Sequence, residues 1–171
     1  MSMQARTVTM RGKPLKLMGA ELKAGDRAPD FEAIGNDLSA VRLASFGGKV
    51  CVVLTVPSLD TRVCDMEIRK FNEEIAKLGG DAVGLTVSMD LPFAQKRWCG
   101  AAGVQRVITV SDHRDASFGK AYGVLLEGLR LLARAVFVVD RDGIIRYVEV
   151  VRELGDHPDY EAALEAVRKL L

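Results

Sequence analysis

Val50-Cys-Val-Val-Leu-Thr-Val56-Pro57-Ser-Leu-Asp-Thr61-Arg-Val-Cys64 is the stretch that decides the fold. Its opening half, Val50 to Val56, is continuously apolar and β-branched. That is the pattern of a strand buried on both faces of a sheet. Beyond it, Val63, Met66, Phe71, Ile75 and Leu78 fall near one helical stripe that ends at Gly79-Gly80. The join between strand and helix sets Cys64 on the helix's first turn, near its positive end. A thiol becomes a thiolate most readily at such a place.

Working downstream, Ala82–Ser88 reads as a second buried strand. Pro92–Cys99 reads as a short helix, with Pro92 in its first turn and Asp90 as its cap. Val107–Val110 reads as a third strand and Ala116–Tyr122 as a turn or two of helix. Ala135–Val139 and Ile144–Val150 pair around Asp140-Arg-Asp-Gly143, a hairpin with a strong Asp-Gly turn signal. Asp159–Leu171 is an amphipathic helix behind Pro158. Upstream, Thr7–Met10 and Leu15–Met18 flank Arg11-Gly12-Lys13-Pro14 as a hairpin. Phe31–Ile34 is a short strand before the turn Gly35-Asn36-Asp37. Strand–helix–strand followed by a hairpin and a helix gives a mixed sheet flanked by helices. The expectation is α/β: a single thioredoxin-like domain over residues 1–171, with an N-terminal hairpin extension at residues 5–19.

The composition narrows the partners. With 24 basic and 23 acidic residues the net charge is +1, so no basic field attracts nucleic acid. No apolar run approaches the roughly 20 residues of a membrane span. The opening Met1-Ser-Met-Gln-Ala-Arg-Thr-Val-Thr-Met10 is too polar for a signal-peptide core, so a cytoplasmic location is expected. Three cysteines are few and odd in number for a structural disulfide scaffold. A disulfide here is expected to be transient and catalytic.

Pro57-Ser-Leu-Asp-Thr61-Arg-Val-Cys64, followed by Arg69-Lys-Phe-Asn72, resembles the active-site signature of the peroxiredoxins. Asp90-Leu-Pro-Phe-Ala-Gln95 and Arg97-Trp-Cys99-Gly resemble the bacterial thiol peroxidase branch, an atypical two-cysteine type. Ala133-Arg134-Ala-Val-Phe-Val-Val-Asp140 resembles the strand carrying that family's active-site arginine. The resemblance implies a thioredoxin-like fold, reduction of hydrogen peroxide and organic hydroperoxides, thioredoxin as donor, a homodimer, and neither metal nor haem. Asp65 and Trp98 are the departures from the usual pattern. A carboxylate at position 65 opposes thiolate formation if it points inward.

On this reading Cys64 attacks one peroxide oxygen and becomes a sulfenic acid. A lowered thiol pKa does not suffice for fast peroxide reduction. For a cysteine moved from about 8.5 to about 6, the thiolate fraction at neutral pH rises roughly 30-fold. Nucleophilicity falls with basicity at a slope of roughly 0.4–0.5, which removes about tenfold of that gain. Most of the acceleration must come from the transition state. Thr61, whose hydroxyl both donates and accepts, holds the peroxide, and Arg134 donates in a fixed fork to sulfur and oxygen. Backbone N–H groups around Val63 and Cys64 complete the cradle. Pro57 limits water over the sulfur and offers no competing donor. Cys99 resolves the sulfenic acid as a disulfide with Cys64. A disulfide needs Cα atoms within about 7 Å, and the two cysteines stand on separate helices. Both helices are therefore expected to loosen in each cycle, with Gly100 and Gly103 easing the change.

Other residues have plainer readings. Cys51 lies inside a buried strand and packs. Thr61 also suits a helix cap, which does not exclude catalysis. Arg69 supports the site from behind or makes a surface ion pair; both readings stay open. Arg130 is a solvated charge, Trp98 a packing residue, and His113 and His157 lack partners at metal spacing. Tyr122-Gly-Val-Leu-Leu126 is core, pocket wall or dimer seam. A thiol–disulfide oxidoreductase on the same fold usually carries Cys-x-x-Cys, whereas positions 61 and 67 are Thr61 and Glu67. A peroxide-sensing redox module remains the alternative function.

Overall fold

The computed structural model describes residues 5–103 and 107–171. The opening residues 1–4, read above as too polar for a signal peptide, lie outside them. In chain order the elements are β1 (Thr7–Met10), β2 (Lys13–Met18), β3 (Ala33–Gly35), β4 (Ala40–Val41), β5 (Val50–Thr55), α1 (Arg62–Lys77), β6 (Ala82–Ser88), α2 (Pro92–Ala102), β7 (Val107–Ser111), α3 (Ser117–Ala121), β8 (Leu125–Leu126), β9 (Ala135–Val139), β10 (Ile145–Val150) and α4 (Tyr160–Arg168). The main sheet runs β10-β9-β5-β6-β7-β3-β4, and a small sheet runs β1-β2-β8. Strands β5, β6 and β7 are parallel, while β9 and β10 are antiparallel additions beyond β5. This is the expected thioredoxin-like mixed sheet with its N-terminal hairpin.

Strand alternation sorts the core into two layers. Val50, Val52 and Leu54 of β5 and Val136 and Val138 of β9 meet α1 and α4 on one face. Cys51, Val53, Phe137 and Val139 meet Phe118, Tyr122 and the hairpin side on the other. Cys64 belongs to the first layer and Cys51 to the second, so the sheet itself separates the two sulfurs. Tyr122, Val124, Leu125 and Leu126 are all buried, which resolves that strip as core.

Four expectations need correction. The N-terminal hairpin turns on two residues, Arg11 and Gly12, both at positive φ, rather than four. Pro14 therefore sits within β2, opposite Thr9. It fits because the Thr9 amide donates away from the hairpin to the Arg152 carbonyl, so this pair requires no Pro14 donor. The short strand is Ala33–Gly35 rather than Phe31–Ile34. The buried stripe of α1 is Cys64, Glu67, Ile68, Phe71 and Ile75, while Met66 is 48% exposed. Phe71 and Ile75 face inward as expected, but the first turns bury Cys64 and Glu67 in place of Val63 and Met66, with Glu67 held inside by its ion pair to Arg134. Finally, Leu91 is the N-cap residue of α2, not Asp90, whose carboxylate is committed elsewhere.

Candidate active site

The end of β5 and the start of α1 form the site. Val56 closes the strand against the Val87 carbonyl, and Pro57 begins the loop. Asp90 fastens that loop: it accepts from Ser58 Oγ at 2.8 Å, from the Leu59 amide at 2.8 Å and from Ser88 Oγ at 2.7 Å. The carboxylate expected to cap α2 thus braces the segment ahead of Cys64 instead. Thr61 is the N-cap of α1, and its Oγ1 accepts from the Cys64 amide at 3.2 Å. A capping hydroxyl uses one lone pair, leaving its proton and a second lone pair available. Here the hydroxyl donates to the Ser58 carbonyl across an O···O distance of 3.4 Å, a weak hold.

Arg134, at the head of β9, comes from the far end of the chain to the same place. Its side chain is only 2% exposed, beside a Glu67 that is 0% exposed. Nε and Nη2 both donate to the Leu154 carbonyl, at 3.1 and 3.0 Å. Nη1 donates to Glu67 Oε2 at 2.6 Å. The positive guanidinium also feels the Cys64 sulfur electrostatically, which places the two groups in the same site. Burial acts against the arginine's charge, but the Cys64 sulfur and the Glu67 carboxylate outweigh it, so its pKa is raised. Cys64 itself is 0% exposed and lies behind a cleft of about 330 Å³. Pro57, Thr61 and Arg134 line that cleft, together with the apolar Met10, Leu129 and Leu131.

Glu67 is the residue that hydropathy missed. A charge one helical turn from Cys64 stands in an apolar stripe and faces a basic residue on a buried strand; that complementarity is the available signal. Its Oε1 is buried with no partner among the described residues. Burial pushes the carboxyl up to about 7, against the pull of Arg134, with Glu149 adding to the rise. Because the folded value exceeds the ordinary 4.5, this group's stabilising contribution is complete below about 4.5 and is lost as pH rises through about 7. Wild type is therefore expected to lose stability relative to Glu67→Gln between about pH 5 and about pH 8. Urea midpoints at the two pH values test this, and parallel behaviour of the two proteins contradicts it.

Cys99 sits in α2, half-buried, with Sγ 3.4 Å from Thr109 Oγ1. All three cysteines are free. The Cys51 thiol is pushed up to about 11 by burial, as suits a packing residue. Asp65 points outward: Oδ2 accepts from Arg69 Nε at 2.8 Å and Oδ1 from Trp98 Nε1 at 3.0 Å. It is thus turned away from the sulfur, and Arg69 makes the surface ion pair. Arg130 is more than a solvated charge, since it donates to the carbonyls of His113 and Arg114. Among the described residues, no group of three or more His, Cys, Asp or Glu side chains could hold a metal ion, and no helix is long and apolar enough to cross a membrane.

A buried thiol at the head of a threonine-capped helix, with a buried arginine in the same site on a thioredoxin-like sheet, defines a peroxiredoxin-class enzyme. The redoxin family profile matches residues 23–164. A thiol peroxidase of Halalkalibacterium halodurans is 57% identical over 165 residues, covering 96% of this chain and 99% of that one. The thiol peroxidase of Bacillus subtilis is 52% identical over 164 residues, covering 96% and 98%. The crystal structure of a peroxiredoxin-like protein from Aquifex aeolicus superposes with a TM-score of 0.90 at 44% identity, covering 98% of each chain. The chain belongs to the redoxin family and, within it, to the bacterial thiol peroxidases. Its activity is accordingly peroxide reduction at the expense of a thiol reductant.

Proposed function

We propose that Cys64 is the peroxide-reactive sulfur and Cys99 the resolving one, in an atypical two-cysteine cycle acting on hydrogen peroxide and organic hydroperoxides. The observation carrying this reading is a buried Arg134 that lines one cleft with Thr61, the residue capping the turn of Cys64, with the guanidinium and the Cys64 sulfur interacting electrostatically. The Cys64 thiolate attacks one peroxide oxygen, the O–O bond breaks, and the other oxygen leaves as water or an alcohol after taking a proton. Arg134 and Thr61 bear the charge that develops on sulfur and departing oxygen. Pro57 and the apolar wall of Met10, Leu129 and Leu131 give an alkyl group an apolar surface to lie against.

The Cys99 sulfur then attacks the sulfenic sulfur, the S–O bond breaks and water leaves. A dithiol of the thioredoxin type returns the enzyme to its reduced state by exchange. Cys64 is fully buried in α1, and Cys99 of α2 contacts Thr109 of β7; on this reading the ends of both helices loosen as the disulfide forms. The proposal includes one catalytic domain, a homodimer, and a cytoplasmic setting where thiols are kept reduced.

Trapping the intermediate tests the assignment. In Cys99→Ser, one equivalent of peroxide is expected to yield a sulfenic acid that persists and is captured by dimedone on the peptide carrying Cys64. Wild type should instead lose two hydrogens as a Cys64–Cys99 disulfide. Dimedone capture on another cysteine, or a wild type that stays a dithiol, overturns the proposal.

A further inference from the structure

Asp65 and Trp98, each next to one of the two cysteines, touch each other. Asp65 stands immediately after Cys64 and Trp98 immediately before Cys99. The Trp98 indole N–H donates to Asp65 Oδ1 at 3.0 Å, and Arg69 Nε donates to Oδ2 at 2.8 Å. The Arg69 guanidinium also lies 5.9 Å from the centre of the Trp98 ring, and its Nη1 donates to the Ala102 carbonyl at 3.1 Å. One carboxylate on the first turn of α1 therefore holds the last turns of α2 on both sides of Cys99.

The rest of α2 is secured separately. Buried Gln95 donates to Ser88 Oγ and to the Val110 carbonyl, both at 2.9 Å, which ties the helix's first half to β6 and β7. The second half has the Cys99–Thr109 contact and the Asp65–Arg69–Trp98 cluster, and ends at Gly103 in the left-handed region, φ 68°. The segment that must move to bring Cys99 to Cys64 is the one the cluster grips.

We propose that Asp65, Arg69 and Trp98 form a latch between the two cysteine-bearing helices, and that its release sets how fast Cys99 reaches the oxidised Cys64. It rests on the two-cysteine reading above. The three are positioning residues, since none needs to touch peroxide. The latch also sets the lifetime of the sulfenate. While it is closed, a second peroxide can transfer one more oxygen to Cys64, giving a sulfinate and releasing water or alcohol. A looser latch shortens that exposure.

Trp98→Phe removes one N–H while keeping an aromatic ring and the Asp65 charge. Rapid-quench alkylation read by intact mass should show disulfide formation about fivefold faster than in wild type, the range of one charge-assisted bond discounted for partial exposure. The fraction of Cys64 driven to sulfinate at a given peroxide dose should fall, while consumption of the first equivalent of peroxide stays at the wild-type rate. Asp65→Asn, which weakens the Arg69 pair, should act in the same direction, and a double-mutant cycle should show the two coupled. If both variants form the disulfide at the wild-type rate, the latch is overturned and the two-cysteine cycle stands. If wild type forms no Cys64–Cys99 disulfide, the cycle fails and the latch with it.

Discussion

Replacing Arg134 with methionine is expected to slow peroxide reduction about a thousandfold and to destabilise the fold in the same stroke. The rate loss follows from the fork that faces Cys64. Removing one preorganised donor from a developing anion typically lowers rate about 10²–10³-fold, and this side chain is the charged one. The stability loss has a separate origin. Arg134 is the cation paired with fully buried Glu67, and deleting one partner of a buried pair commonly costs roughly 3–5 kcal/mol. The deficit should be smaller in mild acid, because Glu67 can then take up a proton and stay buried as a neutral acid. The double variant Arg134→Met/Glu67→Gln separates the effects. It removes the stranded carboxylate, so its urea midpoint should recover most of the loss, yet its reaction with peroxide should remain as slow as that of Arg134→Met. Recovery of both would make Arg134 a structural residue and refute its place in the chemistry.

That experiment turns on a residue pair only half visible in the sequence. Pro57, Thr61, Cys64 and the strand carrying Arg134 stand in local patterns, a strand running into a helix and a β-branched run behind Ala133, so their elements could be placed from spacing. Glu67 could not. Hydropathy assigned the inward stripe of α1 to Met66, and only a partner 67 residues away along the chain makes burial of a carboxylate tolerable. Asp90 failed for the same reason. Its spacing before Pro92 suits a cap, but Ser58, Leu59 and Ser88 compete for the carboxylate once β5 and β6 lie side by side. The short β4 and β8 carry no periodicity of their own, and exist as strands because β3 and β2 pass within pairing distance. Local pattern located the reacting groups; the interactions that hold them depend on long-range contacts that spacing does not encode.

Thr61→Val should lower the rate of the first peroxide equivalent by about a hundredfold, while Thr61→Ser keeps most of it. Valine matches threonine in shape and removes the hydroxyl. Part of the consequence is structural: the Cys64 amide loses its acceptor at 3.2 Å, and losing a cap of this kind costs about 1 kcal/mol. A cost of that size moves the denaturation midpoint slightly and leaves nearly every molecule folded, so it cannot account for a hundredfold slower reaction. The larger part is expected from the peroxide itself. The hydroxyl that accepts from Cys64 still has a proton, donated weakly to the Ser58 carbonyl across an O···O distance of 3.4 Å, and can turn it toward an incoming oxygen. Serine keeps both functions and loses a methyl group. Stopped-flow Trp98 fluorescence at substoichiometric peroxide reads the rate, and urea unfolding reads the cap. A valine variant reacting within about threefold of wild type, with the cap penalty present, would reduce Thr61 to a helix cap and leave Arg134 alone to grip the breaking O–O bond.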